Sequence, residues 1–229
     1  MKRLILAAAI VSLGTSAFAD DWSGFYLGGH AGYGWGDATS RQDPDDWGDD
    51  PKWIGPFPYD LDGAFGGFTA GVNQQMDSIV MGLEADVGYM DISGSRTSES
   101  SNPIYHQDHT VDGGLYADFT ARLGVAVNGT LFYGKGGFAV VDGDAAITTT
   151  KPGYLTNSSG AFAGWVVGGG VEHKFANGWS VKAEYLHFDF GSQSADQTSI
   201  TDPPIGHVYE NWTDVTADTV KLGVNYHFN

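Results

Sequence analysis

Apolar and polar residues alternate with a period of two along eight segments of this chain, about 22–37, 63–76, 79–92, 111–127, 131–142, 162–175, 179–191 and 215–228. Successive side chains of an extended strand point to opposite faces, so the period predicts strands with one apolar and one polar face. In the last segment Val220, Leu222, Val224, Tyr226 and Phe228 share a face, and Thr219, Lys221, Gly223, Asn225 and His227 share the other. In the fourth, Val111, Gly113, Leu115, Ala117, Phe119, Ala121, Leu123 and Val125 oppose Asp112, Tyr116, Asp118, Thr120 and Arg122. The third sets Ile79, Met81, Leu83, Ala85 and Val87 against Glu84 and Asp86. The seventh sets Trp179, Val181, Ala183 and Tyr185 against Lys182 and Glu184, then loses its phase from Leu186 to Phe190, where a bulge or an exit from lipid is expected.

Tight turns at Asp77-Ser78, Asn128-Gly129 and Asn177-Gly178 recur about every fifty residues. Polar stretches at roughly 38–62, 93–110, 143–161 and 192–214, rich in Asp, Ser, Thr, Asn, Gly and Pro, fall between them. Short turns alternating with long loops, and an even number of segments long enough for the ~9–11 residues of a tilted spanning strand, predict an all-β, eight-stranded, up-and-down antiparallel transmembrane β-barrel. Closure leaves no edge in lipid, so the last strand is expected to pair with the first. The phase puts Trp22, Phe25, Phe132, Phe175, Trp179, Tyr226 and Phe228 in an aromatic belt at the turn side, and Tyr33, Trp35, Tyr89 and Trp165 in a second belt at the loop side.

The N-terminus changes the compartment. Lys2-Arg3, the apolar run Leu4 to Leu13 and the small-residue site Ala17-Phe18-Ala19 predict a signal peptide over 1–19 and a barrel domain over 20–229. The chain has no cysteine, which excludes disulfides and a thiol nucleophile. Setting aside Lys2 and Arg3 leaves nine basic residues against 28 acidic ones, a balance that argues against nucleic acid as a partner. Glycine, at 34 of 229 residues, is about twice its average usage.

The segments DWSGFYLGGHAGYGWG at 21–36, FGGFTAGVNQQM at 65–76, GLEADVGY at 82–89, YGKGGFAVV at 133–141, WVVGGGVEHKFANGWSVKAEYLHFDFG at 165–191 and VKLGVNYHF at 220–228 resemble the small alphaproteobacterial outer-membrane immunogenic, porin-like proteins. Those proteins are similar in architecture to the OmpA transmembrane domain and the opacity proteins. The resemblance implies the outer membrane of a Gram-negative bacterium, with loops extracellular and turns and both termini periplasmic. It implies outer-membrane lipid, lipopolysaccharide and, during biogenesis, the barrel-assembly machinery as partners. The family's usual terminal aromatic is here followed by Asn229.

Among candidate chemistry, the inward phase collects Glu84, Asp86, Asp118, Arg122, Lys135, Glu172, Lys174, Lys182, Glu184 and Lys221. Eight strands leave an interior just wide enough for side chains, so these charges are expected to form a plug in preference to a selectivity filter. Gly129 to Gly136 nearly spells a phosphate-binding loop, but Gly136 stands where Ser or Thr is required and an extended run follows. The loop residues Asp45 and Asp49 lack the glycine and glutamate of an EF-hand. His106, His109 and His207 could ligate a metal, or haem iron as in some relatives, only if their loops met. His187 has no serine beside it for lipid chemistry, and no catalytic residue and no cofactor are expected. The expected role is structural: an envelope-stabilising barrel that presents acidic surface loops in an antigen or adhesion role, the alternatives being a narrow porin-like channel or a surface haem or divalent-cation binder.

Overall fold

The computed structural model describes residues 21–43, 45, 54–99, 106–150, 152–156, 160–200 and 206–228. The 1–19 segment and Asp49 lie outside them. The long strands are β1 (Gly24–Gln42), β2 (Phe57–Met76), β3 (Ile79–Met90), β5 (His106–Val127), β6 (Thr130–Thr149), β8 (Phe162–Lys174), β9 (Trp179–Ser194) and β12 (Asn211–Phe228). Each pairs antiparallel with its neighbours, and β1 pairs with both β2 and β12, so the eight close into a ring. The closing ladder runs unbroken from Phe25 opposite Phe228 to Gln42 opposite Asn211. A short strand, β4 (Ser93–Glu99), carries the β3 path farther along β5 after a break at Asp91 and Ile92. Three small strands, β7 (Tyr154–Thr156), β10 (Gln197–Ser199) and β11 (Val208–Tyr209), form a separate sheet at the loop end.

At the opposite, turn end, Asp77 (φ 54°), Asn128 (φ 50°) and Gly129 (φ 73°) hold the left-handed conformation that tight hairpins require. Gly178 (φ 83°) does the same in the third turn. The turns thus lie where sequence places them, but the strands run well past their predicted limits at the loop end. β2 starts at Phe57 and β6 ends at Thr149, so much of the polar stretches 38–62 and 143–161 is ladder.

The reason is an inversion of polarity along the barrel. On the outer surface, apolar side chains give way to aspartate on every long strand except β8: Asp37, Asp62, Asp91 just past β3, Asp112, Asp142, Asp189 and Asp218. At and beyond that line the interior turns apolar, with Leu61, Ile92, Val111, Val141, Phe162, Val166, Leu186, Phe188, Phe190 and Val215 in one buried cluster. The strands therefore keep their alternation while its meaning reverses. On β9, Leu186, Phe188 and Phe190 continue the inward face of Lys182 and Glu184, and the expected bulge falls at the end of that run, where the β9–β12 ladder shifts register between Asp189 and Gly191. On β5 the phase does break. The ladder shifts between Asp112 and Leu115, a bulge that turns Val111 inward and Asp112 outward, contrary to their predicted faces.

The narrow interior also explains several glycines. A Cβ on Gly71 would lie 2.1 Å from the Tyr26 hydroxyl, since the tyrosine lies across its β1–β2 partner. Gly71→Val is expected to displace Tyr26 and to cost about 1–3 kcal/mol as overpacking does. Urea unfolding of the refolded protein in detergent micelles checks this, with Gly160→Ala, which meets nothing within 4 Å, as the neutral comparison.

Candidate functional site: a charged lumen between apolar layers

Eight residues form a balanced network at the middle of the barrel: Glu84, Asp86, Glu172 and Glu184 against Arg122, Lys135, Lys182 and Lys221. All are buried, with side chains at most 1 % exposed across their ion pairs. Glu84 on β3 is the hub. Its carboxylate meets Lys135 Nζ at 2.6 Å, Lys182 Nζ at 2.9 Å, Arg122 Nη1 at 3.6 Å and Lys221 Nζ at 3.9 Å, and it accepts a hydrogen bond from Tyr26 Oη at 2.8 Å. Lys221 bridges Asp86 and Glu184 at 2.6 Å each. Lys135 reaches Glu184 at 3.2 Å, and Tyr133 Oη donates to Glu184 at 2.7 Å.

Glu172 organises the layer nearer the turns. It takes Arg122 Nη1 at 3.0 Å, Asn225 Nδ2 at 2.8 Å and the Ser180 hydroxyl at 2.5 Å, with His227 Nε2 at 3.3 Å. Arg122 also donates from Nε to Asn73 Oδ1 at 2.9 Å and lies over the Tyr26 and Tyr133 rings, 4.6 and 5.2 Å from their centroids. On the loop side, His30 Nδ1 meets Thr69 Oγ1 at 2.9 Å, its Nε2 pairs with the Tyr116 hydroxyl, and Thr69 donates to Asp86. Every strand of the ring supplies a group, and each carboxylate of the network faces more than one cation or neutral donor. Buried charges survive only under such saturation.

Two predicted members stand apart. Asp118 is buried but makes no ion pair among the described residues; it lies directly across the β3–β5 ladder from Asp86, and its Oδ1 has no hydrogen-bond partner among the described protein atoms. Lys174 leaves the network altogether. It sits two residues beyond Glu172 at the end of β8, half-buried, and donates to the Asp21 carbonyl at 2.8 Å. The space below Glu172 is filled instead by Trp22. That residue was expected in the aromatic belt but is fully buried, because it precedes β1 and its backbone N–H bonds Gln75 Oε1 at 2.8 Å, folding it across the barrel mouth. It packs with Val80, Leu131 and Tyr133 and edge-on to His227. The remaining predicted belt residues, Phe25, Phe132, Phe175, Trp179, Tyr226 and Phe228 at the turn side and Tyr33, Trp35, Tyr89 and Trp165 at the loop side, are exposed on the outer surface.

The charged layer is thus closed by apolar side chains on both sides: the Trp22 cluster at the turn end and the Leu186 and Phe188 cluster at the loop end. Sequence reasoning missed the further members Tyr26, His30, Tyr133 and His227. Strand parity marks each of them as inward, Tyr133 two residues before Lys135 and His227 two after Asn225.

The histidine candidates are not brought together. His106 and His109, three residues apart on β5, face opposite sides. His109 is fully buried, its ring tilted 4.7 Å from the Phe57 ring and bonded to Ser98 Oγ at 3.0 Å, and burial pushes its imidazole down to about 4. His207 packs edge-on to Tyr209 in the small sheet. Asp45 donates its backbone N–H to Asp43 Oδ1 at 2.9 Å. Among the described residues no three His, Asp or Glu side chains gather to hold a metal ion.

Removing the hub charge is expected to leave three lysines and Arg122 in excess of their partners. Glu84→Gln should therefore cost about 3–5 kcal/mol, as breaking a buried pair does. Arg41→Ala, which breaks the exposed Arg41–Asp214 contact at 3.5 Å, should cost under ~1 kcal/mol. The urea midpoints of the two refolded variants give the comparison.

Residues 5–228 match the outer membrane protein beta-barrel domain family. The 31 kDa outer-membrane immunogenic protein of Brucella melitensis biotype 1 is 29 % identical over 253 aligned positions, covering 100 % of both chains. The 22 kDa outer membrane protein of Rhizobium leguminosarum bv. viciae is 30 % identical, covering 92 % of this chain and 80 % of its own length. The crystal structure of outer membrane protein OprG from Pseudomonas aeruginosa has the same fold, with a TM-score of 0.51 at 10 % identity over 91 % of this chain and 98 % of that one. The likenesses place the protein in the outer membrane, with a role of surface-antigen type. A closed eight-stranded ring with an apolar outer band and a match along almost its whole length make the chain a member of the outer membrane protein beta-barrel domain family.

Proposed function

We propose that this protein is a structural, non-conducting barrel that stabilises the outer membrane and presents its loop end, with the acidic surface beyond the aspartate line, to the exterior. The carrying observation is the filled interior, in which a balanced network of buried ion pairs lies between two apolar clusters. A channel would have to pass all three. The turn end and both termini then face the periplasm, the 1–19 segment acts as the export signal, and the 20–229 barrel meets lipid and lipopolysaccharide after delivery by the barrel-assembly machinery. The acidic exterior supports a role as antigen or contact surface, and no group in the lumen is placed to act on a substrate.

Two measurements test the reading. The chain lacks cysteine, so single cysteines can report orientation. In intact cells a membrane-impermeant maleimide is expected to label Thr148→Cys at the loop end and to spare Ser78→Cys at the turn end, both exposed positions; the reverse pattern would invert the assignment. In planar bilayers the refolded protein is expected to show no conductance. Arg122→Ala and Lys182→Ala should stay silent as well, because the apolar layers remain; discrete ohmic steps in the wild type would sink the closed-barrel reading.

A further inference from the structure

The outer surface over β1, β12, β9 and β8 carries a groove of about 570 Å³ walled by Gly29, Ala31, Val171, Val181, Ala183 and Leu222. That volume is within the ~300–1,000 Å³ of small-molecule sites. It exists because short side chains face outward where their neighbours are large. Gly29 lies between Phe68 and Val224 in the ladders, and a Cβ added to it would meet only the Gly67 carbonyl, at 3.6 Å.

The groove does not end in more hydrocarbon. Two residues beyond Ala183 on β9 comes Tyr185, then His187; beyond Leu222 on β12 comes Val220, then Asp218. Both Tyr185 Oη, at 2.6 Å, and His187 Nδ1, at 2.8 Å, bond the same oxygen of Asp218, Oδ1. An ionised carboxylate only accepts, so Nδ1 carries a proton in this contact. Asp218 Oδ2 is a second acceptor. Trp35 stands directly opposite Asp218 in the β1–β12 ladder, and the Trp165 ring lies 5.4 Å from His187. The side chains of His187 and Asp218 are only 35 % and 29 % exposed, so the pair is partly withdrawn from solvent.

This is a built polar head on an apolar groove, and its chemistry has a sign. It offers acceptors and aromatic faces, and Asp189 extends the same outward face of β9, opposite Trp165. The nearest described arginine on this face of β1, Arg41, lies three outward positions beyond Trp35 and pairs with Asp214. A carboxylate flanked by tryptophan faces selects an organic ammonium group, through charge and cation–π attraction. We propose that this face binds a membrane lipid with a cationic amine headgroup, the ammonium against Asp218 and the Trp35 and Trp165 rings, and an acyl chain in the groove along Gly29, Ala31 and Ala183. The inference rests on the membrane-embedded barrel and is independent of whether the lumen conducts.

A second groove of about 570 Å³, lined by Ile79, Leu123, Phe132 and Gly134 near the turn end, serves as the internal control. The test reconstitutes the purified protein in phosphatidylglycerol vesicles with a small fraction of acyl-chain spin-labelled phosphatidylethanolamine or, in parallel, spin-labelled phosphatidylglycerol. Electron paramagnetic resonance then measures the motionally restricted fraction of each. Several-fold preferential restriction of phosphatidylethanolamine is expected. The preference should vanish in Asp218→Asn and in Gly29→Leu, which fills the groove, and persist in Gly134→Leu, which fills the control groove. Equal restriction of the two lipids by the wild type would mean boundary lipid only and would overturn the proposal, as would a preference that survives Asp218→Asn. Folding of each variant is checked by resistance of the unheated barrel to dodecyl sulfate, and Gly29→Leu, remote from the polar head, decides the matter should Asp218→Asn not fold.

Discussion

The width of an eight-stranded ring governs this protein. Joining β1 to β12 satisfies the backbone in lipid, but it fixes an interior that side chains alone can fill. Whatever faces inward must therefore complete its interactions with other inward-facing groups. Glu84 shows the consequence most plainly. Four cations from four strands and the Tyr26 hydroxyl converge on one carboxylate, and all of these side chains are buried from solvent. Glycine is the other face of the same constraint: Gly71 gives up its side chain so that Tyr26 can lie across the lumen and reach Glu84.

Two environments surround this ring, and the alternation along each strand serves both. Where the outside is hydrocarbon, Phe138 and Val140 face out and Lys135 faces in; farther along the same strand the outside is wet, Asp142 and Asp144 face out, and Val141, Ala145 and Ile147 face in. The loop half is built like a water-soluble barrel on top of a membrane one. Its buried apolar cluster supplies the hydrophobic stabilisation that the charged half, with lipid outside and ions inside, cannot draw from burial in water.

That inversion also sets what could be read from the chain. The number of spanning strands, their order, the turns at Asp77, Asn128 and Asn177 and most of the charged lumen follow from a strict period of two. The strand ends do not, because polar composition reads as loop, whereas Asp144, Thr148 and Asp214 are outward residues of ladder. Leu186, Phe188 and Phe190 were misjudged for the mirror-image reason: their parity was right, but apolar residues were expected only on the outside. The β5 bulge escaped because Gly113-Gly114 is compatible with either phase, and only the ladder with β6 shows that the extra residue lies there. Trp22 illustrates a third limit. An aromatic before the first strand has no ladder to fix its face, and the bond from its N–H to Gln75, 53 positions away, decides that it plugs the barrel.

The aspartate line has an electrostatic consequence for the membrane around it. Outward carboxylates at Asp37, Asp62, Asp112, Asp142, Asp189 and Asp218 stand at the level where lipid headgroups begin, and described basic groups on that surface are few, Arg41 and Arg96 among them. Such a rim repels anionic headgroups unless cations intervene, and it favours lipids whose headgroups bring their own positive charge. Among these aspartates Asp62 accepts from the Tyr33 hydroxyl and Asp189 from the Gly191 backbone N–H, one neighbour each. Asp218 differs in having two donors fixed on one oxygen, beside tryptophan and above a furrow cut by Gly29 and Ala183. Preorganised acceptors lose less on binding than mobile ones, so selectivity for a headgroup concentrates on the β1–β12–β9–β8 face and not evenly around the rim.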